Sequence, residues 1–310
     1  MKAARKAFTE TLLELAREDK RIFALATDSR GSVTLNDFVK ELPEQFVECG
    51  IAEQDAVGIT AGLACTGLIP FVCGPASFYS TRSAEQVKVD VAYSHTNVKI
   101  IGVSGGVSYG ALGGTHHAVQ DVAFMRAVPG LQVLIPADAN QAVAMTKALA
   151  ASTEPAYVRM GRGAVEDVYP ENAPFEIGKA NVLKEGSDAA IIACGEMVYP
   201  ALKAAEILAE KGIQARVIDM HTIKPLDTEL VLKAAKETGA IVTTEEANVL
   251  GGLGAAVAEY LGETYPIPVV RHGVNDEFGR SGKAPAVLDA YGVNAAGIVE
   301  KVKKALALKK

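Results

Sequence analysis

Tryptophan is absent from this 310-residue sequence, aromatic residues make up only 6% of it, and cysteine occurs four times. The cysteines are Cys49, Cys65, Cys73 and Cys194, which lie in apolar stretches and lack the paired spacing of a metal site. A cysteine in such surroundings usually behaves as a small buried hydrophobe. We therefore expect reduced thiols, with no disulfide and no metal ligand among them.

The sequence also lacks a basic cluster and a long apolar run. The net charge is −6 and the Lys and Arg residues are scattered, so no nucleic-acid-binding surface is predicted. No apolar run reaches the roughly 18 residues that a transmembrane helix requires. Residues 1–20 form an amphipathic helical pattern that includes acidic residues, unlike a signal peptide. We expect a cytoplasmic protein with neither a membrane nor a nucleic-acid partner.

What the sequence does contain is a regular alternation of apolar strand patterns with helical patterns, as in α/β proteins. Its length and its hydrophobic content of 49% are sufficient for two full cores. Residues 165–180 contain two prolines and four acidic residues with little periodicity, which is typical of a linker. We predict two three-layer α/β/α domains, residues 1–165 with a mostly parallel sheet and residues 186–310, joined by a linker at 166–185.

One carboxylate stands out in the first domain. The stretch ECGIAEQDAVGITAGLACTG, residues 48–67, places Glu53 at the start of a helix rich in small and apolar residues. A glutamate there can simply complement the helix dipole. Alternatively, it faces a ligand with a pKa tuned by its surroundings. The residues alone leave both interpretations open.

Five blocks in a fixed order carry a resemblance: GIAEQ, GPASFYSTRSAEQVKVDVA, GVSYGALGGTHH, PADANQA and RMGRG. Together they resemble the pyrimidine-binding domain of the transketolase family of thiamin diphosphate enzymes. HTIKPLD and TTEEANVLGGLG extend the similarity into the C-terminal domain of that family. The resemblance covers nearly the whole chain and implies the fold of both domains.

The resemblance implies a set of cofactor contacts. Glu53 would hydrogen-bond the aminopyrimidine ring of thiamin diphosphate and favour the imino tautomer, whose exocyclic group takes the proton of the thiazolium carbon. Tyr79, or Phe78 as the second choice, would stack on that ring. Arg82 and Asp28 would also contact the cofactor.

Further matches concern the substrate. Arg5 in AARKAF, Ser32 in DSRGS and Arg162 in RMGRG match the family residues that hold a sugar phosphate, and guanidinium groups suit phosphate because they donate in a fixed fork. His116 matches the histidine beside the thiazolium that contacts the reacting hydroxyls and can move a proton. His117 has no such match, and we interpret it as structural.

Two positions depart from the family pattern. Transketolases that use ordinary ketose phosphates have an acid four residues before the histidine, where this chain has Leu112. A second family histidine aligns with Ser104. Because a site built for hydroxyls discriminates against analogues that lack them, the donor or acceptor sugar should carry a different hydroxyl pattern.

The family's G-D-G motif, which marks the domain that binds the diphosphate and Mg²⁺, does not occur in this sequence. The resemblance therefore implies that a separate N-terminal subunit completes the active site and supplies the Mg²⁺ ligands. We expect a heterotetramer of the α₂β₂ type, paired through a two-fold axis, with Glu53 near a subunit interface.

The predicted activity is that of a transketolase, a transferase that moves a two-carbon ketol unit from a ketose phosphate to an aldose, as in pentose phosphate metabolism. One alternative is the β subunit of a 2-oxoacid dehydrogenase E1 component, and another is a carboligase similar to deoxyxylulose phosphate synthase. A non-catalytic scaffold subunit is the alternative of a different class. Retention of the matched cofactor and phosphate residues argues against a scaffold, which would not need them.

Overall fold

The computed structural model describes residues 1–309 and contains two α/β units. Its strands are β1 (Ile22–Ala26), β2 (Phe46–Glu48), β3 (Ile69–Pro75), β4 (Lys99–Val103), β5 (Gln132–Leu134), β6 (Ala156–Met160), β7 (Asn181–Lys184), β8 (Ala189–Ala193), β9 (Ala215–Asp219), β10 (Thr222–Lys224), β11 (Ile241–Asn248) and β12 (Val269–Val274).

The α-helices alternate with these strands over most of the chain. They are α1 (Ala4–Glu18), α2 (Arg30–Val33), α3 (Asn36–Glu41), α4 (Glu53–Cys65), α5 (Ala76–Thr81), α6 (Ala84–Gln86), α7 (Asp121–Ala127), α8 (Ala139–Ala151), α9 (Val198–Ala209), α10 (Thr228–Thr238), α11 (Leu253–Thr264), α12 (Ala284–Ala290) and α13 (Ala295–Leu308). Short 3₁₀ helices span Pro43–Gln45, Gly110–Thr115 and Gly195–Met197, and a π-helical turn spans Val87–Tyr93.

The first sheet has seven strands in the order β10-β5-β6-β4-β3-β1-β2, and every pair except β10 with β5 is parallel. β3 and β4 are buried along their whole length, as the continuous apolar runs predict for central parallel strands. Because parallel strands end at the same edge, the loops after β1, β2, β3, β4 and β6 meet there.

The second sheet has five strands in the order β12-β11-β8-β9-β7, and its pairs are parallel except β7 with β9. One apolar cluster runs from Val72 and Tyr157 of the first sheet to Ile192 and Ile241 of the second. The two sheets are therefore held together by a shared core. The prediction of two α/β units with mostly parallel sheets is confirmed.

Two short strands depart from the predicted organisation. β7 lies inside the predicted linker, residues 166–185, and pairs with β9, so the second unit begins within that range. β10 follows the second unit's β9 in the chain but adds to the edge of the first sheet, where Thr222 lies opposite Leu134. Both strands are three or four residues long, too short to show a periodic pattern.

No helix within residues 1–309 combines the length and the apolar character needed to cross a membrane.

A buried polar network holds Val168 and Tyr169, which lie in the segment between the two units. Asp219, at the end of β9, accepts hydrogen bonds at Oδ2 from Gln141 Nε2 and from the Tyr169 hydroxyl, both at 2.6 Å. Asp138 caps α8 and accepts the backbone N–H groups of Val168 and Tyr169 at 2.6 and 2.7 Å. These contacts fix the segment against both sheets. Burial raises the pKa of Asp219 to about 7.

The raised pKa of Asp219 predicts a pH-dependent stability. Between about pH 4 and pH 7 the folded chain holds a proton that the unfolded chain releases, so the free energy of unfolding should fall as pH rises through this window. Asp219→Asn keeps an acceptor for Gln141 and Tyr169 but cannot ionise. We expect urea unfolding at pH 5 and pH 8 to show a smaller difference for this variant than for the wild type.

The matched control is Asp276→Asn, at an exposed carboxylate, which should leave the pH dependence unchanged. An equal loss of stability between pH 5 and pH 8 in Asp219→Asn and the wild type would contradict this assignment.

Candidate functional site

Glu53 is the first residue of α4 and has 2% of its surface exposed. Its Oε2 accepts a hydrogen bond of 2.7 Å from Nη1 of Arg82. Arg82 is the first residue after α5. The position at the helix start favours the negative charge. The ion pair engages Oε2, which leaves Oε1 to accept from a ligand. The structure thus brings together two of the residues predicted to bind the cofactor.

The two candidate stacking rings have different environments. Tyr79 has no exposed surface, and its hydroxyl lies 3.3 Å from Thr27 Oγ1. Phe78 is half-buried, with the Arg82 guanidinium 4.7 Å from its ring centroid. The Phe78 ring is therefore the more accessible of the two in this structure, and the stacking role of either ring stays a prediction.

His116 is held between two aromatic rings. The centroids of Phe78 and Tyr109 each lie 5.4 Å from its own, in edge-on arrangements. Its Nδ1 is 2.9 Å from Thr115 Oγ1. If Nδ1 accepts from that hydroxyl, the proton of the neutral ring is on Nε2. The half-buried His116 therefore lies beside Phe78, as the predicted roles of both residues require.

His117 is held by a contact within the Gly-rich loop. It is buried, its Nε2 lies 3.1 Å from the carbonyl oxygen of Gly110, and burial lowers its pKa. The contact ties the beginning of the Gly-rich loop to its end. Its Nδ1 has no hydrogen-bond partner within residues 1–309, and the ring also lines the cavity beside Phe78. The structural role of His117 therefore stays a prediction.

A cavity of about 210 Å³ lies between α5 and the end of the Gly-rich loop. Its lining includes Phe78, Arg82, Thr115 and Ser77. Ser77 Oγ is buried and has no hydrogen-bond partner within residues 1–309. Since buried hydroxyls are normally paired, Ser77 is suited to a polar ligand. The cavity therefore offers a flat ring, a cation and an unpaired hydroxyl, which fit a planar heterocycle.

The three predicted phosphate-binding residues lie together. Arg5 Nε donates to the carbonyl oxygen of Arg162 at 3.0 Å, and Arg5 Nη1 donates to the carbonyl oxygen of Ser32. Burial, followed by the charge of Arg162, lowers the pKa of Arg5. Within residues 1–309, neither arginine forms a salt bridge with a carboxylate. Two adjacent guanidinium groups without a carboxylate are suited to binding an anion, and we refer to Arg5 and Arg162 together as the anion site.

Tyr109 connects the anion site to His116. The Arg162 guanidinium lies 5.2 Å from the Tyr109 ring centroid, and His116 packs against the same ring. Sequence reasoning did not single out Tyr109, although an aromatic residue within a Gly-rich loop could have been noticed in SYGALGG.

The two positions that depart from the family pattern differ in their burial. Ser104 is fully buried and its Oγ lies 3.3 Å from Arg162 Nη1, so it supports the anion site. Leu112 is 53% exposed. An exposed apolar side chain on this loop cannot accept a hydrogen bond from a sugar hydroxyl.

Asp28 is not brought into the cluster around Glu53. Its side chain is exposed, its φ is +54°, and its N–H donates to Glu48 Oε1 at 2.7 Å. Its cofactor role stays a prediction. In the described part of the chain, no group of three or more His, Cys, Asp or Glu residues is arranged to hold a metal ion.

Comparison with known proteins agrees with this fold. The model described as "Transketolase, pyrimidine binding domain" matches residues 1–167, and "Transketolase, C-terminal domain" matches residues 178–298. One of the subunits of the apulose-4-phosphate transketolase of Phocaeicola vulgatus is 59% identical over 300 residues, which cover 96% of each chain. The 6-deoxy-6-sulfo-D-fructose transketolase subunit SqwH of a Clostridium species is 42% identical over 295 residues, covering 95% of this chain and 92% of the relative.

A solved structure described as a split gene transketolase, an inactive beta4 tetramer, has a TM-score of 0.93 and 45% identity, with 99% of both chains covered. The sequence and structural matches extend over both units of the fold. The chain belongs to the transketolase family.

Proposed function

We propose that this chain is the C-terminal (β) subunit of a two-chain, thiamin diphosphate-dependent transketolase that moves a two-carbon ketol unit from a ketose phosphate to an aldose. A continuous row of contacts supports the proposal. The Arg162 guanidinium and the His116 ring both pack against the Tyr109 ring, His116 also packs against Phe78, and Phe78 packs against Arg82, the partner of Glu53. A sugar phosphate bound at the arginines would present its reacting carbons to His116.

The chain's own residues have distinct parts in this reaction. Phe78 offers a ring face, Arg82 holds the Glu53 carboxylate, and Glu53 Oε1 can share a proton with a ring nitrogen of the cofactor. His116 can donate or accept a proton at Nε2, where the reacting hydroxyls of a bound sugar would lie. When bound, thiamin diphosphate supplies the carbon nucleophile and the electron sink. Because Glu53 is only 2% exposed, water has little access to the proton that Glu53 would share with the cofactor.

We propose that a second chain supplies the groups that hold the diphosphate and Mg²⁺, because one relative is described as a transketolase subunit and one structural neighbour as a split gene transketolase. An apolar surface next to Glu53 supports an interface there. Ile51, Ile59, Val89 and Tyr93 are 76%, 44%, 43% and 88% exposed. Large exposed apolar side chains grouped on α4, the residues before it and the π-helical turn are typical of a subunit interface. We propose an α₂β₂ assembly built on this surface.

The substrate is a phosphorylated sugar with an altered hydroxyl pattern. Arg5, Arg162 and Ser32 provide the anion site, whereas Leu112 offers no acceptor to a hydroxyl. Two relatives are described as subunits of an apulose-4-phosphate transketolase and of a 6-deoxy-6-sulfo-D-fructose transketolase, and the first name contains a phosphate group and the second a sulfo group. We infer an unusual ketose with a terminal anion for this chain as well.

The first test is calorimetric titration of thiamin diphosphate with Mg²⁺ into this chain alone and into its mixture with the chain that carries the diphosphate-binding domain. We expect binding only in the mixture, because the metal ligands are on the other chain. In the mixture, Glu53→Gln should lower kcat by about 10²–10⁴-fold, the usual contribution of a positioned acid or base.

Glu44→Gln, at an exposed position outside the site, serves as the matched control and should retain wild-type kcat. Tight Mg²⁺-dependent binding by the isolated chain would contradict the two-chain proposal. Turnover of a 2-oxoacid in place of a ketose phosphate would instead favour the dehydrogenase alternative.

The second test concerns the sugar. Leu112→Asp restores an acceptor at an exposed position of the loop and should raise kcat/KM for a ketose phosphate with a hydroxyl there by about 10–100-fold, the effect of one charged hydrogen bond. The same ketose without that hydroxyl should not benefit. The ratio of the two kcat/KM values measures the effect.

Leu250→Asp is the control, since Leu250 is exposed to a similar extent, 50%, in the second unit. Equal changes for both ketoses in Leu112→Asp would refute the assigned role of Leu112.

A further inference from the structure

The loop that carries His116 is closed at its base. Gly106 and Ala118 exchange two backbone hydrogen bonds of 3.0 and 2.8 Å, so residues 107–117 form a loop with a narrow neck. His116 can keep its position only if this neck is fixed. The groups that touch the neck therefore matter for the geometry of the site.

A residue of the second unit holds the neck. Glu246, on β11, is 6% exposed, and its Oε1 accepts the backbone N–H of Val107 at 2.8 Å. Arg159 Nη2 donates to the backbone carbonyl of the same Glu246, and Arg159 Nε lies 3.4 Å from Asp121 Oδ2. Asp121 is the first residue of α7, three residues after the neck. One buried chain of contacts thus runs from β11 to both ends of the loop.

The glycines of the neck show how closely these groups fit. A Cβ on Gly106 would lie 2.2 Å from Glu246 Oε1, and a Cβ on Gly105 would lie 2.3 Å from Arg159 Nε. Gly106 also has a φ of +59°, which residues with a Cβ rarely adopt. The backbone of the loop therefore rests directly on the Glu246 and Arg159 side chains.

We propose that Glu246 is a positioning residue for catalysis, through which the C-terminal unit holds the neck of the loop and so the place of His116. Catalytic residues must stay within fractions of an ångström of the productive geometry. Glu246 does not line the cavity beside Phe78 and Arg82, and it acts through the Val107 N–H. This inference rests on the proposed function only for its kinetic consequence.

Glu245 is a natural matched control. It is also buried on β11, but its carboxylate accepts the N–H groups of Leu253 and Gly254, both at 2.9 Å, at the start of α11. Removing it should destabilise the fold without releasing the loop. Comparing Glu246→Ala with Glu245→Ala thus separates positioning from general stability.

The experiment is amide hydrogen exchange of the full chain, read in peptides that cover residues 105–118. We expect Glu246→Ala to speed exchange there by about tenfold, the effect of one lost buried hydrogen bond. Glu245→Ala should leave exchange there at the wild-type rate. Glu246→Gln should stay close to wild type, because the amide oxygen can still accept from Val107.

The kinetic experiment uses the reconstituted two-chain enzyme. Glu246→Ala should lower kcat by about tenfold, and Glu246→Gln should retain kcat, because its amide oxygen can still accept from Val107. Glu245→Ala should retain kcat. A wild-type mixture without any ketol transfer would refute the proposed function, and the exchange experiment would still decide the positioning role.

A second variant approaches the neck from the loop side, in case Glu246→Ala does not fold. Gly106→Ala places a methyl group against Glu246. The control is Gly212→Ala, because Gly212 also has a positive φ, +78°, but no atom lies within 4 Å of the added Cβ. Gly106→Ala should show the faster exchange and lower kcat, and Gly212→Ala should not. Wild-type exchange across residues 105–118 in Gly106→Ala or Glu246→Ala, or equally fast exchange in Glu245→Ala, would overturn the proposal.

Discussion

A carboxylate removed from water must find a partner, and this constraint governs the site. Glu53 is almost fully buried at the start of α4 and is paired with Arg82. Burying an unpaired charge is strongly unfavourable, so Arg82 and the residues that orient it must stay in place. The segment that supplies Arg82 also supplies Phe78, whose ring lies under the Arg82 guanidinium. The ion pair and the candidate stacking ring are therefore one structural unit.

The parallel sheet explains why distant residues converge. Glu53 follows β2, Phe78 and Arg82 follow β3, His116 follows β4 and Arg162 follows β6. Ligand groups in α/β proteins gather beyond the carboxyl ends of parallel strands. The second unit covers this edge of the sheet. Glu246 contacts the loop after β4. Glu196 lies so close to the loop after β6 that a Cβ on Gly161 would be 1.5 Å from its Oε1. The C-terminal unit is thus part of the architecture of the site.

Much of this could be predicted from the sequence. The strong apolar runs predict the central strands, and the prediction of a helix after GIAEQ agrees with α4. The grouping of Arg5, Ser32 and Arg162 was expected from the resemblance, and the structure brings them together. What could not be predicted depends on tertiary context. Phe78 and Tyr79 are neighbours in sequence, and only the packing of Tyr79 against Thr27 and Gly74 decides which ring stays accessible. β7 and β10 are too short to show a period, and Glu246 gives no local signal of its contact with Val107.

The central claim is that Glu53 controls a proton of the bound cofactor. The most direct measurement is the rate at which the thiazolium carbon of thiamin diphosphate exchanges its proton for deuterium, followed by NMR in the two-chain complex. For wild type, we expect exchange much faster than for free thiamin diphosphate, and for Glu53→Gln exchange slowed by about 10²-fold or more at saturating cofactor. Equal exchange rates in the wild-type and Glu53→Gln complexes would contradict the account.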